Sequence, residues 1–318
     1  MLKRRPLIVT AAGLAIPGLA RAATRTIGWV SPESRETSAP FFEAFSGGLR
    51  DGLKGDDVRI LERYAPKGPD DIVAAVSDLE RQGVALIVSQ GSATPPAART
   101  AKKVPIVFGV SGDPVAAGVA QSLARPGGNA TGVTFMSVEL MAKRIDFLRM
   151  ALPASRKLVL LSNANHFGEE REIAACKAAV EPTGVELLVH RFKAADEIGP
   201  TVERALQDAQ ALLVLPSSTV VRAAPAMVAQ CLVRKMPLVS GWASIAHAGG
   251  LMTYGPNLQA AFRHLATFVV RVLNGAKPAD LPIEQPTILE LVLNRRTAAT
   301  IGVRLPDALL AQAEEIIE

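Results

Sequence analysis

The sequence has little cysteine and few aromatic residues. It contains 2 cysteines, Cys176 and Cys231, and aromatic residues make up 4% of its 318 residues. Neither cysteine is near the N-terminus, so that region offers no site for a lipid anchor. Both lie in predicted helices, where a small buried role is the common one, and a disulfide after export is the alternative. With 49% hydrophobic residues, the core is predicted to consist of Ala, Val, Leu and Ile, as in α/β proteins whose strands are buried on both faces.

The sequence also lacks the short motifs of the common enzyme classes. It contains no GxGxxG after a strand, no GxxxxGK[ST] phosphate loop, no GxSxG elbow and no HExxH motif. The 4 histidines lie on different predicted elements, without the spacing of metal ligands. They are His166, His190, His247 and His264. We therefore expect no metal, no cofactor and no catalytic centre.

Positive charge is concentrated at the N-terminus, where residues 1–22 contain no acidic residue. The basic residues of this segment are Lys3, Arg4, Arg5 and Arg21. A charged start, an apolar stretch over residues 7–20 and the sequence Ala20-Arg21-Ala22 are together typical of a secretory signal peptide. We expect cleavage near Ala22, with Arg4-Arg5 also permitting the twin-arginine route. An uncleaved membrane anchor is the alternative interpretation.

Loss of this segment changes the charge balance of the chain. The remaining residues include 31 basic and 30 acidic side chains, so the mature net charge is about +1. A nucleic-acid partner is therefore not expected, because such proteins carry a strong basic patch. No other apolar run approaches the length that spans a membrane. The sequence predicts a soluble periplasmic protein that is not a lipoprotein.

From Thr24 onward, strand-like apolar runs alternate with amphipathic helical patterns. The predicted strands are Thr26–Val30, Val58–Tyr64, Ala85–Ser89, Ile106–Val110, Lys157–Ser162, Glu186–Phe192, Ala211–Leu215 and Leu238–Gly241. The predicted helices are Phe41–Leu53, Asp70–Gln82, Glu139–Ala151, Gly168–Glu181, Ile198–Asp208 and Val221–Lys235. This alternation is typical of βαβ units, and it predicts an α/β fold with parallel sheets covered by helices on both faces.

Three clusters of glycine and proline interrupt the alternation, at residues 124–134, 248–250 and 278–286. We interpret them as three hinge crossings between two Rossmann-like lobes. The predicted N-terminal lobe consists of residues 24–132 and 252–282, and the predicted C-terminal lobe of residues 133–251 and 283–318. Such an arrangement is typical of a two-lobed binding protein.

Polar residues follow two neighbouring strands of the first lobe, where ligands bind in open parallel sheets. In the segment QGSATPP, Ser92 and the predicted helix N-cap Thr94, followed by Pro95, suit a ligand carboxylate. In SGDPV, Ser111 and Asp113 face the same crevice, and Asp113 is predicted to hold a ligand ammonium group. The alternatives are a plain capped helix start and an ordinary Asp-Pro turn.

The second lobe offers mostly uncharged polar residues at its strand ends. Asn163, Ser217 and Trp242 are the candidates there. Trp29, near the end of the first strand, is a candidate for stacking on an apolar part of the ligand, with a role as core filler as the alternative. These residues together predict a site for a small ligand.

Three long stretches of the sequence resemble a known family. They are PIVFGVSGDPVAAGVAQSLARPGGNATGV, AGGLMTYGPNLQAAFRHLATFVVRVLNGAKPADLPIEQPT and ELVLNRRTAATIGVRLPDALLAQAEEIIE. Over essentially the whole mature chain, the sequence resembles the ABC-transporter substrate-binding proteins that include the tryptophan/tyrosine-type binding proteins. The resemblance implies a type I periplasmic-binding fold, with two Rossmann-like lobes, three hinge strands and a ligand enclosed by closure. It also implies ligand contacts at Ser92, Thr94, Ser111 and Asp113.

The expected function is that of a periplasmic solute receptor of an ABC importer. It would bind an amino acid, aromatic or aliphatic, or another small carboxylate, and deliver it to a permease in the inner membrane. An exported sensory module that uses the same closure is the first alternative. An exported α/β enzyme is the second.

Overall fold

The computed structural model describes residues 25–53 and 58–318. The predicted signal peptide, residues 1–22, lies outside the described residues. The strands are β1 (Arg25–Ser31), β2 (Val58–Tyr64), β3 (Ile87–Gln90), β4 (Ile106–Val110), β5 (Ala130–Thr134), β6 (Lys157–Asn163), β7 (Glu186–Phe192), β8 (Ala211–Val214), β9 (Leu238–Ser240), β10 (Met252–Pro256), β11 (Leu289–Asn294) and β12 (Glu315–Ile317). The α-helices are α1 (Arg35–Leu53), α2 (Pro69–Arg81), α3 (Thr94–Thr100), α4 (Met141–Ala151), α5 (Glu169–Val180), α6 (Ile198–Asp208), α7 (Ser218–Val233), α8 (Ala243–His247), α9 (Leu258–Leu273), α10 (Arg295–Ile301) and α11 (Asp307–Leu310).

The strands form two sheets, as the alternation predicts. The first is five-stranded with the order β2-β1-β3-β4-β5, and the second is seven-stranded with the order β12-β11-β10-β9-β8-β6-β7. Neighbouring strands are parallel except for the antiparallel pair β10 and β11. We call the first sheet with its helices the first lobe, and the second sheet with its helices the second lobe. The predicted α/β class with two parallel-dominated sheets is confirmed.

Helices cover both faces of each sheet, because the strands carry apolar residues on both faces. On β6, Leu158 and Leu160 pack into the core formed with α4 and α5, whereas Val159 and Leu161 pack into the core formed with α6 and α7. This division follows from the two-residue period of a strand, which turns successive side chains to opposite faces. Within the described residues, no helix is both long enough and apolar enough to cross a membrane.

The chain crosses between the lobes three times: after β5, between β10 and α9, and before β11. The helix α9 packs on α1, with Phe262 and Phe268 in the same core as Phe45. Glu284 pairs beside Val133 of β5 before the chain returns to the second sheet at β11. These crossings place the carboxyl ends of both sheets on opposite sides of one cleft.

Two predicted boundaries differ from the strand pairing. The predicted N-terminal lobe includes Met252–Pro256, but this strand pairs with β9 and β11 in the second sheet. The glycine cluster before it ends the short helix α8, where Gly249 has a φ of 108°, and so marks a helix end rather than a crossing. Ile283 and Glu284, assigned to the C-terminal lobe, bond to Leu123 and Gly132 of the first lobe. The other lobe ranges stay a prediction.

Candidate ligand-binding site

A cavity of about 710 Å³ lies between the two lobes. Its lining comes from the segments that follow the carboxyl ends of strands in both sheets, as expected for open parallel sheets. The size suits a small organic ligand. Of the sequence-predicted site residues, the cavity is lined by Ser92, Ser111, Asn163, Ser217 and Trp242. Trp29, Thr94 and Asp113 lie elsewhere, each for a different reason.

Trp29 lies in the core of the first lobe. Its side chain is fully buried and packs on the rings of Phe42, Phe45 and Phe262, with centroid distances of 5.3, 5.2 and 6.0 Å. The residue therefore fills the core beneath α1 and α9. The expectation that it stacks on the ligand is corrected.

Thr94 is not a free helix cap. A 3₁₀ turn over Gly91–Ala93 runs straight into α3, so the Thr94 amide donates to the carbonyl of Gly91. The Thr94 hydroxyl is buried and lies 2.9 Å from the Oγ atom of Ser89. The next two residues, Pro95 and Pro96, have no N–H group to offer. The predicted carboxylate site at the start of α3 is corrected accordingly.

Asp113 has both carboxylate oxygens engaged. Its Oδ1 accepts hydrogen bonds from the amides of Val115, at 2.8 Å, and Ala116, at 3.1 Å. Its Oδ2 pairs with Arg171 of the second lobe. The residue lines a smaller neighbouring cavity of about 300 Å³. The turn-capping alternative describes Asp113 correctly, and the predicted ammonium contact is corrected.

Glu33 is an acidic residue of the cavity that was not predicted from the sequence. Glu33 follows β1 by two residues, and only 3% of it is exposed. Its Oε2 pairs with Arg222 of α7 across the cleft. Its Oε1 is buried and has no hydrogen-bond partner among the described residues. The available signal was the place of Glu33 just beyond a strand's carboxyl end, the criterion that selected Asp113.

Cationic groups come mostly from the second lobe. Arg222 and Lys193 line the cavity from this lobe, and Arg99 lines it from the first. The start of α7 also faces the cavity, where the Oγ atom of Ser217 accepts a hydrogen bond of 3.3 Å from Val220 N. These charges and dipoles suit an anionic group of the ligand.

One part of the cavity wall is aromatic. Phe262 lies between Phe41 and Phe135, with centroid distances of 5.2 and 5.6 Å, and Trp242 lies edge-on to Phe135 at 6.5 Å. The Nε1 atom of Trp242 is buried without a partner among the described residues. The cavity therefore combines charged groups of both signs with an aromatic surface.

The lobes also touch beside the cavity. The Oγ atom of Ser111 lies 3.0 Å from Nε2 of His166, whose ring stacks on Phe167. Burial lowers the pKa of His166 to about 4, so the ring is neutral near pH 7. His166 Nδ1 lies 3.6 Å from Oε1 of Glu172, whose pKa burial raises to about 8. The contact between Ser111 and His166 is therefore a hydrogen bond between neutral groups, and it joins the first lobe to the second.

The described part of the chain holds no cluster of His, Cys, Asp and Glu suited to a metal ion. Cys176 and Cys231 are both buried and unpaired in the described structure, and they belong to the cores on opposite faces of the second sheet. Burial raises the pKa of each thiol to about 12, so neither is a reactive thiolate. The site is therefore built from hydrogen-bonding, charged and aromatic groups.

The chain is similar to several known proteins. The model of the ABC transporter substrate-binding protein family matches residues 36–317. A tyrosine-binding protein from Clostridioides difficile (strain R20291) is 19% identical over 252 residues, which are 79% of this chain and 72% of that protein.

Solved structures show the same fold. The ABC domain in complex with L-Trp from Streptococcus pneumonia aligns over 93% of this chain and 100% of that one, with 22% identity and a TM-score of 0.86. The ligand-free, open structure of a Clostridium difficile substrate-binding protein with adhesive properties covers 92% of this chain and 99% of that one, with 18% identity and a TM-score of 0.70. The type I periplasmic-binding fold is thus confirmed. Since the family model spans nearly all of the described residues, this chain belongs to the ABC transporter substrate-binding protein family, whose members bind substrates and are not enzymes.

Proposed function

We propose that this chain is the solute receptor of an ABC importer for an amino acid, with aromatic side chains preferred. The observation that carries the proposal is a single cavity that holds Glu33, cationic groups such as Arg222 and an aromatic wall around Phe262. An α-amino acid offers an ammonium group, a carboxylate and a side chain to these three kinds of surface. Two relatives, a tyrosine-binding protein and an ABC domain in complex with L-Trp, support the same class of ligand.

The proposed cycle depends on closure of the two lobes. The ligand enters the open cleft, and the second lobe closes over it by rotation at the three crossings. The ligand shifts the equilibrium only by the difference between its affinities for the closed and the open state. The closed form then docks on the permease in the inner membrane.

Export of the chain is part of the proposal. It is supported by the signal-peptide pattern of residues 1–22 and the small-x-small sequence at Ala20–Ala22. We propose a soluble periplasmic location, reached by the general secretory or the twin-arginine route. The Sec and twin-arginine routes are distinguished by exporting the chain in cells that lack the twin-arginine translocase.

A thermal-shift screen tests the ligand class. Mature protein from Ala23 onward is unfolded and refolded to remove bound ligand, and then heated with each amino acid and with common small carboxylates. A ligand that binds only the folded state raises its stability, by about 2.7 kcal/mol at 100 times the Kd. We expect a concentration-dependent rise with tyrosine, tryptophan or phenylalanine. No rise with any amino acid would contradict the proposed ligand class.

A second experiment separates transport from sensing. Cells that lack the chain are compared with complemented cells for uptake of the labelled amino acid found in the screen. Loss of high-affinity uptake supports the receptor of an importer. Unchanged uptake contradicts delivery to a permease and supports the sensory alternative.

A further inference from the structure

We infer that the ligand binds with one charged group on each lobe: its ammonium on Glu33 and its carboxylate on Arg222 and the first turn of α7. This inference rests on the proposed function, which it deepens by assigning the two charged groups. In this arrangement the zwitterion inserts into the ion pair that crosses the cleft. The assignment replaces Asp113 and α3, whose polar groups are already satisfied.

The proposed ammonium contact is based on the unpaired carboxylate oxygen of Glu33. Glu33 lines the cavity with a side chain that is about 4% exposed, and its Oε1 is buried without a hydrogen-bond partner in the described ranges. The other oxygen, Oε2, pairs with Arg222 and lies 3.5 Å from Thr37 Oγ1. A buried carboxylate oxygen left without a donor is unfavourable, and an ammonium group supplies donors together with the opposite charge.

The proposed carboxylate contact is based on the hydrogen-bond donors of Arg222 and of the start of α7, on the other side of the cleft from Glu33. Arg222 has a side chain that is 37% exposed, so its guanidinium has room to turn its remaining N–H groups toward a ligand. It is the fifth residue of α7, a helix of 16 residues, and so follows the first turn directly. The amides of Ser218 and Thr219 precede the first hydrogen bond within this helix, and both residues line the cavity. A carboxylate placed there meets a fork of donors and the positive end of the helix dipole.

Only a zwitterion satisfies both sides. A ligand that has the carboxylate but lacks the amine suits Arg222 but leaves Glu33 Oε1 unpaired. Its negative charge would also lie near the negative charge of Glu33. A des-carboxy amine suits Glu33 but leaves the first turn of α7 without an acceptor. A site that hydrogen-bonds a polar group of its ligand discriminates strongly against analogues that lack this group. With such an analogue, the buried polar groups of the site stay unpaired.

In this arrangement, binding of the ligand is coupled to closure of the lobes. Glu33 belongs to the first lobe and Arg222 to the second, so each lobe holds one end of the ligand's dipole. Either contact can form alone in the open state, but the ligand makes both at once only when the lobes are closed. The ligand therefore has a higher affinity for the closed state, which is the requirement for shifting the lobe equilibrium.

Calorimetric titration of the mature chain at pH 7 tests the assignment with three probes of one shape. They are L-tyrosine, 3-(4-hydroxyphenyl)propionate, which lacks the amine, and tyramine, which lacks the carboxylate; the tryptophan series is used if L-tryptophan binds more tightly. We expect the wild type to prefer the amino acid by about 100-fold over either analogue. We expect Glu33→Gln to weaken amino-acid binding by about 100-fold and to leave or improve binding of the propionate.

Arg222→Gln provides the complementary measurement, and because it leaves the buried Glu33 carboxylate without its ion pair, its stability is measured alongside its binding. It should weaken the binding of L-tyrosine by at least about tenfold and leave the affinity for tyramine within about threefold of the wild-type value. The controls are the exposed Glu36→Gln and Arg234→Gln, which should bind like the wild type. Circular dichroism and melting curves check that each variant is folded.

The outcomes separate the two proposals. Wild-type binding of an amino acid that Glu33→Gln does not weaken overturns the Glu33 assignment and leaves the proposed function intact. An equal loss for the amino acid and the propionate in Glu33→Gln also overturns it, because the effect would then not depend on the amine. If the wild type binds no amino acid, both proposals fall.

Discussion

The Oγ atom of Ser111 in the first lobe lies 3.0 Å from Nε2 of His166 in the second. The His166 side chain is 10% exposed, and burial holds its pKa at about 4. Glu172 of α5 lies 3.6 Å from its Nδ1, and the charge of Glu169 on the same helix partly opposes the effect of burial on the pKa. Because the ring is neutral at physiological pH, this contact between the lobes does not depend on an imidazolium.

The low pKa of His166 makes stability depend on pH below neutrality. The unfolded chain takes up a proton near pH 6.5, whereas the folded chain takes it up only near pH 4. As the pH falls from 6.5 to 4, the free energy of unfolding therefore decreases by about 1.4 kcal/mol per pH unit from this group. His166→Asn should remove this contribution. Urea unfolding of both proteins between pH 4 and 8 measures it, with the half-exposed His247→Asn as control.

If the wild type and His166→Asn lose stability in parallel as the pH falls, then His166 is not the group responsible. His247, which is half exposed and pairs with Glu315 on β12, controls for the general effect of replacing a histidine by asparagine.

Glu172 should give the opposite pH dependence. Its carboxyl is 1% exposed, has no hydrogen-bond partner in the described part of the chain, and has a pKa raised to about 8 by burial. Between pH 4.5 and 8 the unfolded chain releases this proton while the folded chain keeps it, so stability falls as the pH rises and levels off above 8. Glu172→Gln keeps the shape of the neutral acid without the titration.

We therefore expect Glu172→Gln to be more stable than the wild type at pH 8 by several kcal/mol, and the difference to vanish below pH 4.5. The positive charge of Arg144 opposes the effect of burial on Glu172 and reduces the gain. Urea unfolding across this pH range measures the difference. A variant that is less stable than the wild type at pH 8 would show that Glu172 is ionised in the folded protein.

The sequence predicted the elements well where the pattern is local. The strands Ile106–Val110 and Glu186–Phe192 and the helix Ile198–Asp208 have the predicted bounds, because their apolar periods end at clear turn signals. The helix α1 begins at Arg35 rather than Phe41, since Pro40 is accommodated inside it. β5 and β10 lie within or beside glycine-rich segments and were not predicted as strands.

The site was predicted by position but not in detail. Asp113 and Glu33 both follow strands, and only the fold reveals which carboxylate is already occupied. The partner that engages Asp113 is Arg171, 58 residues further along the chain and in the other lobe. Likewise, the side chain of Trp29 faces α1 rather than the cleft. Its orientation depends on packing against α9, which lies more than 200 residues later in the chain. Long-range packing of this kind leaves no local signal.

Arg144 ties two of the crossings together and should matter for stability. It is 1% exposed; its Nε donates to the Tyr254 carbonyl at 2.7 Å, and its Nη1 donates to the Ser137 carbonyl at 3.2 Å. Arg144→Met keeps much of the volume but leaves both carbonyls without these donors. We expect a loss of about 3 kcal/mol in the free energy of unfolding at pH 7, since hydrogen bonds to charged groups contribute about 1.5–3 kcal/mol each.

Arg149→Met on the same helix is the matched control, because Arg149 is only half-buried. It should change the unfolding free energy by no more than about 0.5 kcal/mol, as is usual for surface substitutions. A loss below 1 kcal/mol for Arg144→Met, measured by urea unfolding, would mean that water replaces the guanidinium at these carbonyls.

Asp113→Asn separates the two roles of Asp113. An asparagine oxygen still accepts from the amides of Val115 and Ala116, so the turn is kept. The ion pair with Arg171 is lost, and since Arg171 is 59% exposed the pair contributes at most about 1 kcal/mol. That pair joins the lobes, so its loss acts on closure, and we expect ligand affinity to fall by less than about fivefold.

Arg171→Gln removes the same ion pair from the other side, so the two substitutions should not add when combined. Titration with the amino acid that binds the wild type measures both variants and the double variant. A 100-fold loss confined to Asp113→Asn, with Arg171→Gln unchanged, would instead make Asp113 the ammonium site, as its place after β4 first indicated. A small loss of affinity that is the same in both single variants would mean that the ion pair stabilises the contact between the lobes and does not bind the ligand. Glu33 is then the carboxylate that has an oxygen without a partner.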